Sequence, residues 1–216
     1  MSALPPVDSI IFDLDGTLWD TCDVCARGWN NVVARHGIRF RTITGDDVRR
    51  VAGKSHDACM RDTFIGCNEA ELEILSRETM AEDNLLIDQE GGALFDGVRE
   101  GLIALRRSYP LFIVSNCQAG YIELFLKHSG VGELFSDFEC WGNTGRPKGE
   151  NVRSVIERNR LKQPWYVGDT PGDQAAARFC DIPFVYAAYG FAACDEVELR
   201  LERFLDLPAL LFARGE

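Results

Sequence analysis

The stretch IIFDLDGTLWD, which runs from Ile10 to Asp20, is the basis of the fold prediction. Its first residues are apolar and mostly β-branched, so they predict a short buried strand. Asp13 and Asp15 follow two residues apart, and residues at this spacing in extended chain project to the same side. Gly16 permits a sharp turn after them. The two carboxyl groups are therefore predicted to face the crevice beyond the strand, where parallel α/β sheets hold their ligands.

The composition predicts a soluble globular protein. The chain has 216 residues, of which 46% are hydrophobic and 26% charged, enough for one core with a small insertion. No apolar run is long enough for a membrane helix, and the first residues lack a signal peptide's basic start and apolar segment, so no membrane partner and a cytoplasmic location are expected. The eight cysteines are then expected to be reduced thiols. A net charge of -11 argues against a nucleic-acid partner, because phosphate backbones attract clustered Lys and Arg.

Strand and helix patterns alternate through the second half of the chain. Strands are predicted at 111–115, 137–141, 165–168 and 183–186, and helices at 98–107, 119–129, 149–159 and 173–180. This alternation predicts an α/β fold with a Rossmann-like parallel sheet and helices on both faces.

A mostly helical segment separates the first strand from the later ones. It begins with a predicted helix near 21–36 and has no clear strand before the glycine-rich EGGALFDG. Roughly seventy residues are too many for an ordinary loop. Residues 20–92 are therefore predicted to form a small α-helical cap inserted after the first strand. The core is expected to comprise residues 1–19 and 93–216.

Polar residues of distinct types follow the predicted strands or precede a helix. They are Asp13 and Asp15, then Ser115 and Asn116, then Lys148, then Asp169 and Asp173. In this order the chain resembles the haloacid dehalogenase-like hydrolase superfamily, whose motifs stand here as FDLDGT, VSN, RPKG and GDTPGD. It is most similar to the phosphoglycolate phosphatase and β-phosphoglucomutase branch, which carries a helical cap after the first strand.

The acidic residues also indicate a chemistry by themselves. Asp13 is ionised at neutral pH when its pKa is unperturbed, so it can attack a phosphoryl group without a base. Mg²⁺ prefers carboxylate oxygens, and the expected side-chain ligands are Asp13 and Asp169. Asp173 is expected to order the metal shell or Lys148. The resemblance adds the backbone carbonyl of Asp15 as a further ligand.

Asp15 is predicted to do the proton transfers, first to the leaving oxygen and later from the attacking water. Ser115 and Asn116 are expected to donate hydrogen bonds to the phosphoryl oxygens. The Gly16 amide, and the hydroxyl and amide of Thr17, are further candidates for binding substrate.

Lys148 is predicted to supply the positive charge of the site. Many members of the superfamily place this lysine directly before a proline, whereas here Pro147 precedes Lys148. Arg146 is therefore a competing cation. In the predicted cap, Lys54 lies in a basic run and could bind an anionic end of the substrate; a solvated helix face is the alternative.

These patterns predict a Mg²⁺-dependent phosphatase that hydrolyses a small phosphorylated metabolite through an aspartyl-phosphate, as the resemblance to phosphoglycolate phosphatases implies. A phosphomutase of the β-phosphoglucomutase type is the nearest alternative, and a non-catalytic binding protein of the same fold is the other. Asp15 disfavours a dehalogenase or phosphonatase, because those members typically lack an acid there. The substrate and the oligomeric state stay open.

Overall fold

Strands and helices alternate through a computed structural model that describes residues 5–212. The outermost residues of the predicted core, 1–4 and 213–216, lie outside the described part. The strands are β1 (Ser9–Phe12), β2 (Trp19–Asp20), β3 (Ala93–Leu94), β4 (Leu111–Ser115), β5 (Phe135–Cys140), β6 (Pro164–Gly168), β7 (Phe184–Ala187) and β8 (Leu199–Leu201). The α-helices are α1 (Cys22–Arg35), α2 (Gly45–Arg49), α3 (His56–Thr63), α4 (Glu69–Glu90), α5 (Val98–Arg106), α6 (Tyr121–His128), α7 (Trp141–Thr144), α8 (Lys148–Asn159), α9 (Pro171–Phe179) and α10 (Asp206–Phe212).

Six strands form one sheet in the order β5-β4-β1-β6-β7-β8. Every neighbouring pair is parallel. The first strand lies between β4 and β6, with Ile10 opposite Leu111 on one side and Trp165 on the other. The prediction of a parallel α/β sheet is therefore confirmed, with the acidic motif on an interior strand.

Helices cover both faces of the sheet, which explains why β1 is apolar at consecutive positions. Ile11 packs into a cluster with residues of α8 and α9, whereas Ile10 and Phe12 belong to the larger core on the opposite face. All three side chains are fully buried. Alternate residues of one strand thus serve two helix layers.

Four helices, α1 to α4, lie between β2 and β3, where the sequence predicts the cap. We call them the helical insertion. The short strands β2 and β3 pair antiparallel, Trp19 with Leu94 and Asp20 with Ala93, so the chain leaves and re-enters the core at one place. Helix α4 begins with a capping box between Asn68 and Glu71, which satisfies orphan amides of its first turn. Domain boundaries at 20 and 92 stay a prediction.

Several short elements have no counterpart in the sequence prediction. Strand β8 has three residues and α10 has seven, so both are shorter than the stretches over which hydrophobic periodicity can be recognised. No helix in the described part of the chain is both long and apolar enough to span a bilayer.

Candidate active site

The predicted site residues meet at the carboxyl edge of the sheet. Asp13 directly follows β1, Ser115 ends β4, and Asp169 directly follows β6. The Asp13 amide donates a hydrogen bond of 2.8 Å to the carbonyl of Val167 in β6. Because β1 pairs with β4 and β6, residues more than a hundred positions apart in the chain share one crevice.

Lys148 joins two of the acids. Its Nζ donates to Asp13 Oδ1 at 2.9 Å and to Asp173 Oδ1 at 2.6 Å. All three residues are buried, whereas Arg146 is exposed. Burial by itself lowers the pKa of Lys148, but the negative charges of Asp13 and Asp173 outweigh it and raise that pKa above its ordinary value. Lys148 is therefore a fixed positive charge beneath the crevice.

Asp173 has a structural task as well as an electrostatic one. It is the third residue of α9, and its Oδ2 accepts hydrogen bonds from the amide (2.9 Å) and hydroxyl (2.6 Å) of Thr170. The Thr170 hydroxyl in turn accepts from the Asp173 amide at 3.2 Å. This capping box begins the helix, so the carboxylate that holds Lys148 is itself held by the helix start.

Three carboxylates form a cluster that can hold a cation. One oxygen from each of Asp13, Asp169 and Asp173 lies within 4.8 Å of the others, and all three residues are buried. Burial, followed by the negative charge of Asp173, raises the pKa of Asp13 well above its usual range and that of Asp169 to about 7. These three carboxyl groups offer only oxygen atoms and negative charge, which are the ligand properties that a hard divalent cation prefers. The two Asp173 oxygens together accept four hydrogen bonds, from Lys148, Tyr166 and the amide and hydroxyl of Thr170, whereas Asp13 and Asp169 accept fewer. Asp13 and Asp169 therefore keep more lone pairs free for a cation.

Gly16 and Thr17 both contact Asp169. Gly16 has a φ of +82°, and a Cβ there would lie 2.2 Å from Asp169 Oδ2, so the turn requires glycine for two reasons. Thr17 Oγ1 donates to Asp169 Oδ1 at 3.2 Å, and the amide of Phe191 donates to Oδ2 at 2.8 Å. Sequence reasoning missed Phe191, whose only signal is the glycine before it: a Cβ on Gly190 would meet Asp169 Cβ at 2.3 Å.

Asp15 has a partner that the sequence did not indicate. Tyr121, in the first turn of α6, donates its hydroxyl to Asp15 Oδ1 at 2.5 Å. Burial raises the pKa of Asp15 to about 6, although this hydrogen bond and the charge of Lys148 oppose the rise. A carboxyl group with a pKa near neutrality can both give and take a proton. Tyr121 resembles a core aromatic in sequence, so no local signal distinguishes it.

Ser115, Asn116 and Lys54 line a cavity above Asp13 and Asp15. Asn116 Nδ2 donates to the carbonyl of Gly53 at 2.9 Å, so this residue links the core to the helical insertion. Lys54 Nζ lies 2.6 Å from Asp62 Oδ2. Binding of substrate by these side chains stays a prediction.

Comparison with known proteins agrees with this geometry. The sequence model of the haloacid dehalogenase-like hydrolases matches residues 10–187, which include all four motifs. The chain belongs to this family. A phosphoglycolate phosphatase from Agrobacterium fabrum is 24% identical over 95% of this chain and 91% of its own length. Another, plasmid-encoded, from Cupriavidus necator is 27% identical over 95% and 94%.

The fold has a counterpart among solved structures. A haloacid dehalogenase-like hydrolase from Streptococcus pneumoniae superposes with a TM-score of 0.80 at 18% identity, covering 95% of this chain and 98% of that one. At this identity the likeness shows the fold alone. The chain is therefore a hydrolase of this family by sequence, and its crevice holds Asp13, Asp169 and Asp173 in one cluster.

Proposed function

We propose that this hydrolase is a Mg²⁺-dependent phosphatase that cleaves a small phosphorylated metabolite through an aspartyl-phosphate on Asp13. The observation that carries the proposal is the cluster itself. Asp13, Asp169 and Asp173 approach within 4.8 Å, and Asp15 lies beside them with a pKa near 6. The relatives named phosphoglycolate phosphatase support a phosphate ester as substrate.

In the first step, an Asp13 carboxylate oxygen forms a bond to phosphorus while the bond from phosphorus to the leaving oxygen breaks. Asp15 gives its proton to that oxygen, so the alcohol leaves neutral. Lys148, 2.9 Å from Asp13 Oδ1, holds the nucleophile and offsets the charge that accumulates. A Mg²⁺ ion held by Asp13 and Asp169 would supply further charge neutralisation at the phosphoryl oxygens.

In the second step, the Asp15 carboxylate takes a proton from water, whose oxygen bonds to phosphorus. The bond between phosphorus and Asp13 breaks, which releases phosphate and restores both acids. Ser115 and Asn116 face the same cavity and would hold the phosphoryl oxygens in both steps. The helical insertion would act as the cap, and its contact with Asn116 suits a closure that excludes bulk water.

A burst experiment tests the covalent step. With p-nitrophenyl phosphate, whose leaving group needs no acid, Asp15→Asn should form the aspartyl-phosphate and then stall for lack of a base. We expect one equivalent of p-nitrophenolate per enzyme, followed by slow turnover, in Mg²⁺ buffer. Asp13→Asn should give neither burst nor turnover. Asp96→Asn, at an exposed position, is the matched control and should behave as wild type.

Two results would contradict the proposal. Substantial turnover by Asp13→Asn would remove Asp13 as the nucleophile. A lack of phosphate release by the wild type from any of a broad set of phosphate esters would remove the phosphatase activity itself.

A further inference from the structure

The indole N–H of Trp19 is buried without a partner. Trp19 follows the acidic motif in the chain, and its side chain is fully buried. One edge of the ring lies against Gly92, where an added Cβ would be 2.7 Å from Cε3. The opposite edge carries Nε1, which has no hydrogen-bond partner among the described residues. Buried donors rarely stay unpaired, so this one calls for an explanation.

Asp15 is the polar residue next to this N–H. Asp15 and Trp19 are partners in an isolated parallel bridge, so their side chains leave the backbone on the same side as neighbours. Burial raises the pKa of Asp15, whereas the Tyr121 hydroxyl and the Trp19 N–H both lower it. The N–H is therefore close enough to act on the carboxyl group, although it does not bond to it with ordinary hydrogen-bond geometry.

The ring of Trp19 is held in this orientation by its neighbours. It packs edge-on against Tyr121 and Phe125, with ring centroids 5.5 Å and 5.1 Å apart. The amide of Gly16 donates to the Trp19 carbonyl at 3.0 Å, which fixes the backbone as well. The same Tyr121 ring carries the hydroxyl that bonds to Asp15, so the two donors belong to one packed unit.

The proton transfer proposed for Asp15 places negative charge on its carboxyl group. The O–H bond of the carboxyl group breaks, the proton goes to the leaving oxygen, and the electron pair stays on the carboxylate. A donor beside the group gains most when that charge appears, because hydrogen bonds to a charged acceptor are roughly twice as strong as neutral ones. An N–H that bonds fully only during the transfer lowers the barrier to reaction.

We propose that Trp19 is a positioning residue whose indole N–H, together with the Tyr121 hydroxyl, holds the Asp15 carboxyl group and stabilises the charge that forms there as the leaving oxygen is protonated. The inference rests on the phosphatase function proposed above and deepens it by adding a second donor to the acid. Loss of this donor should slow the departure of a leaving group that needs a proton. The value of kcat/KM reports this step, because it covers the reaction up to the aspartyl-phosphate.

Trp19→Phe, which keeps an aromatic ring and removes the N–H, tests the proposal with two esters in Mg²⁺ buffer. The alcohol of propyl phosphate needs a proton to leave, whereas p-nitrophenolate does not. We expect kcat/KM for propyl phosphate to fall about tenfold, the effect of losing one hydrogen bond to a charged group, and kcat/KM for p-nitrophenyl phosphate to change by less than about twofold. Equal losses on both esters would show that Trp19 acts only through packing, and would overturn the inference.

A tryptophan isostere separates the N–H from the shape of the ring. Benzothienylalanine, incorporated in place of Trp19, has a sulfur atom where the indole has its N–H and is close to tryptophan in size. It should show the same selective loss on propyl phosphate, and it decides the question if Trp19→Phe does not fold. A wild-type ratio of the two kcat/KM values in this protein would overturn the inference.

Trp165→Phe is the matched control. Trp165 is also fully buried, but its N–H donates to the carbonyl of Pro6 at 3.2 Å, so its loss should leave the ratio of the two kcat/KM values unchanged. Asp15→Asn sets the upper limit of the effect and should lower kcat/KM for propyl phosphate far more than for p-nitrophenyl phosphate. Equal losses in Asp15→Asn would instead remove the acid from the proposed function, and this inference with it.

Discussion

The Tyr121 hydroxyl oxygen lies 2.5 Å from Asp15 Oδ1 and 2.5 Å from the hydroxyl oxygen of Thr21. Tyr121 begins α6 in the core, whereas Thr21 immediately precedes the helical insertion. One phenol thus fixes the carboxyl group proposed to transfer protons and connects it to the point where the insertion leaves the core.

Tyr121→Phe removes this hydrogen bond and should lower kcat about tenfold on an alkyl phosphate with little change in KM, because a bond to a charged group contributes about 1.5 kcal/mol or more. The bond lowers the pKa of Asp15, so its loss should raise that pKa. The basic limb of kcat/KM, where Asp15 loses the proton it must donate, should move to higher pH. An unchanged profile would contradict this role, and Tyr109→Phe, a packing position, is the control.

Lys148→Met should lower kcat at least a hundredfold, because Asp13 and Asp173 would then repel each other without compensation. It should also destabilise the fold, by roughly 3–5 kcal/mol if both acids stay ionised. Urea unfolding and steady-state kinetics measure the two effects. Arg146→Met, which removes a similar charge from an exposed position, should match wild type; equal losses in both variants would contradict the assignment of the site's positive charge to Lys148 alone.

Mg²⁺ should raise the melting temperature, and EDTA should abolish turnover. At one hundred times its Kd, a ligand of the folded state alone adds about 2.7 kcal/mol. Since the pKa of Asp169 is raised to about 7, protons compete with the ion below that pH, and the thermal shift should be larger at pH 8 than at pH 6. Asp169→Asn should lose the shift and Asp96→Asn should keep it. A shift that persists in Asp169→Asn would place the ion elsewhere.

His56 should make the fold sensitive to acid. Burial lowers its pKa from 6.5 to about 4, and its Nε2 hydrogen-bonds to Thr79 at 2.7 Å. The folded state therefore binds fewer protons at His56 than the unfolded chain does. The contribution of neutral, buried His56 to the free energy of unfolding is complete above pH 6.5 and is lost as the pH falls to 4. The loss amounts to about 3 kcal/mol.

Urea unfolding of wild type and His56→Gln at several pH values isolates this contribution. The raised pKa values of Asp15 and Asp169 make the fold more stable as the pH falls through the same range, which is opposite to the effect of His56. The free energy of unfolding of wild type minus that of His56→Gln is therefore the quantity to follow with pH. Parallel pH profiles would show that His56 is not buried in its neutral form.

The acids could be located from the sequence because their positions follow strand ends. Asp13 and Asp169 each come directly after an apolar run, and parallel strands bring such positions to one edge. Asp173 also has a local signal in the sequence that the prediction did not use, since it completes a capping box three residues after Thr170. Hydrophobic periodicity and motif spacing therefore locate residues that lie at the end of a strand or the start of a helix.

Tyr121 could not be located in the same way. It meets Asp15 across 106 positions. It lies on a helix where an aromatic residue is ordinary, and only the packing of α6 against the turn that follows β1 gives it this partner. Strand β8 was missed for another reason: three residues are too few to show an alternating pattern.

The interior place of β1 has a consequence for how the molecule loses activity. Both sides of β1 are hydrogen-bonded, to β4 and to β6, whereas β5 and β8 each have one neighbour. Local opening of the edge strands β5 and β8 leaves β1, the strand that Asp13 follows, hydrogen-bonded on both sides. Amide deuterium exchange should be slowest at Ile11 and Phe12, and inactivation on heating should coincide with global melting instead of preceding it.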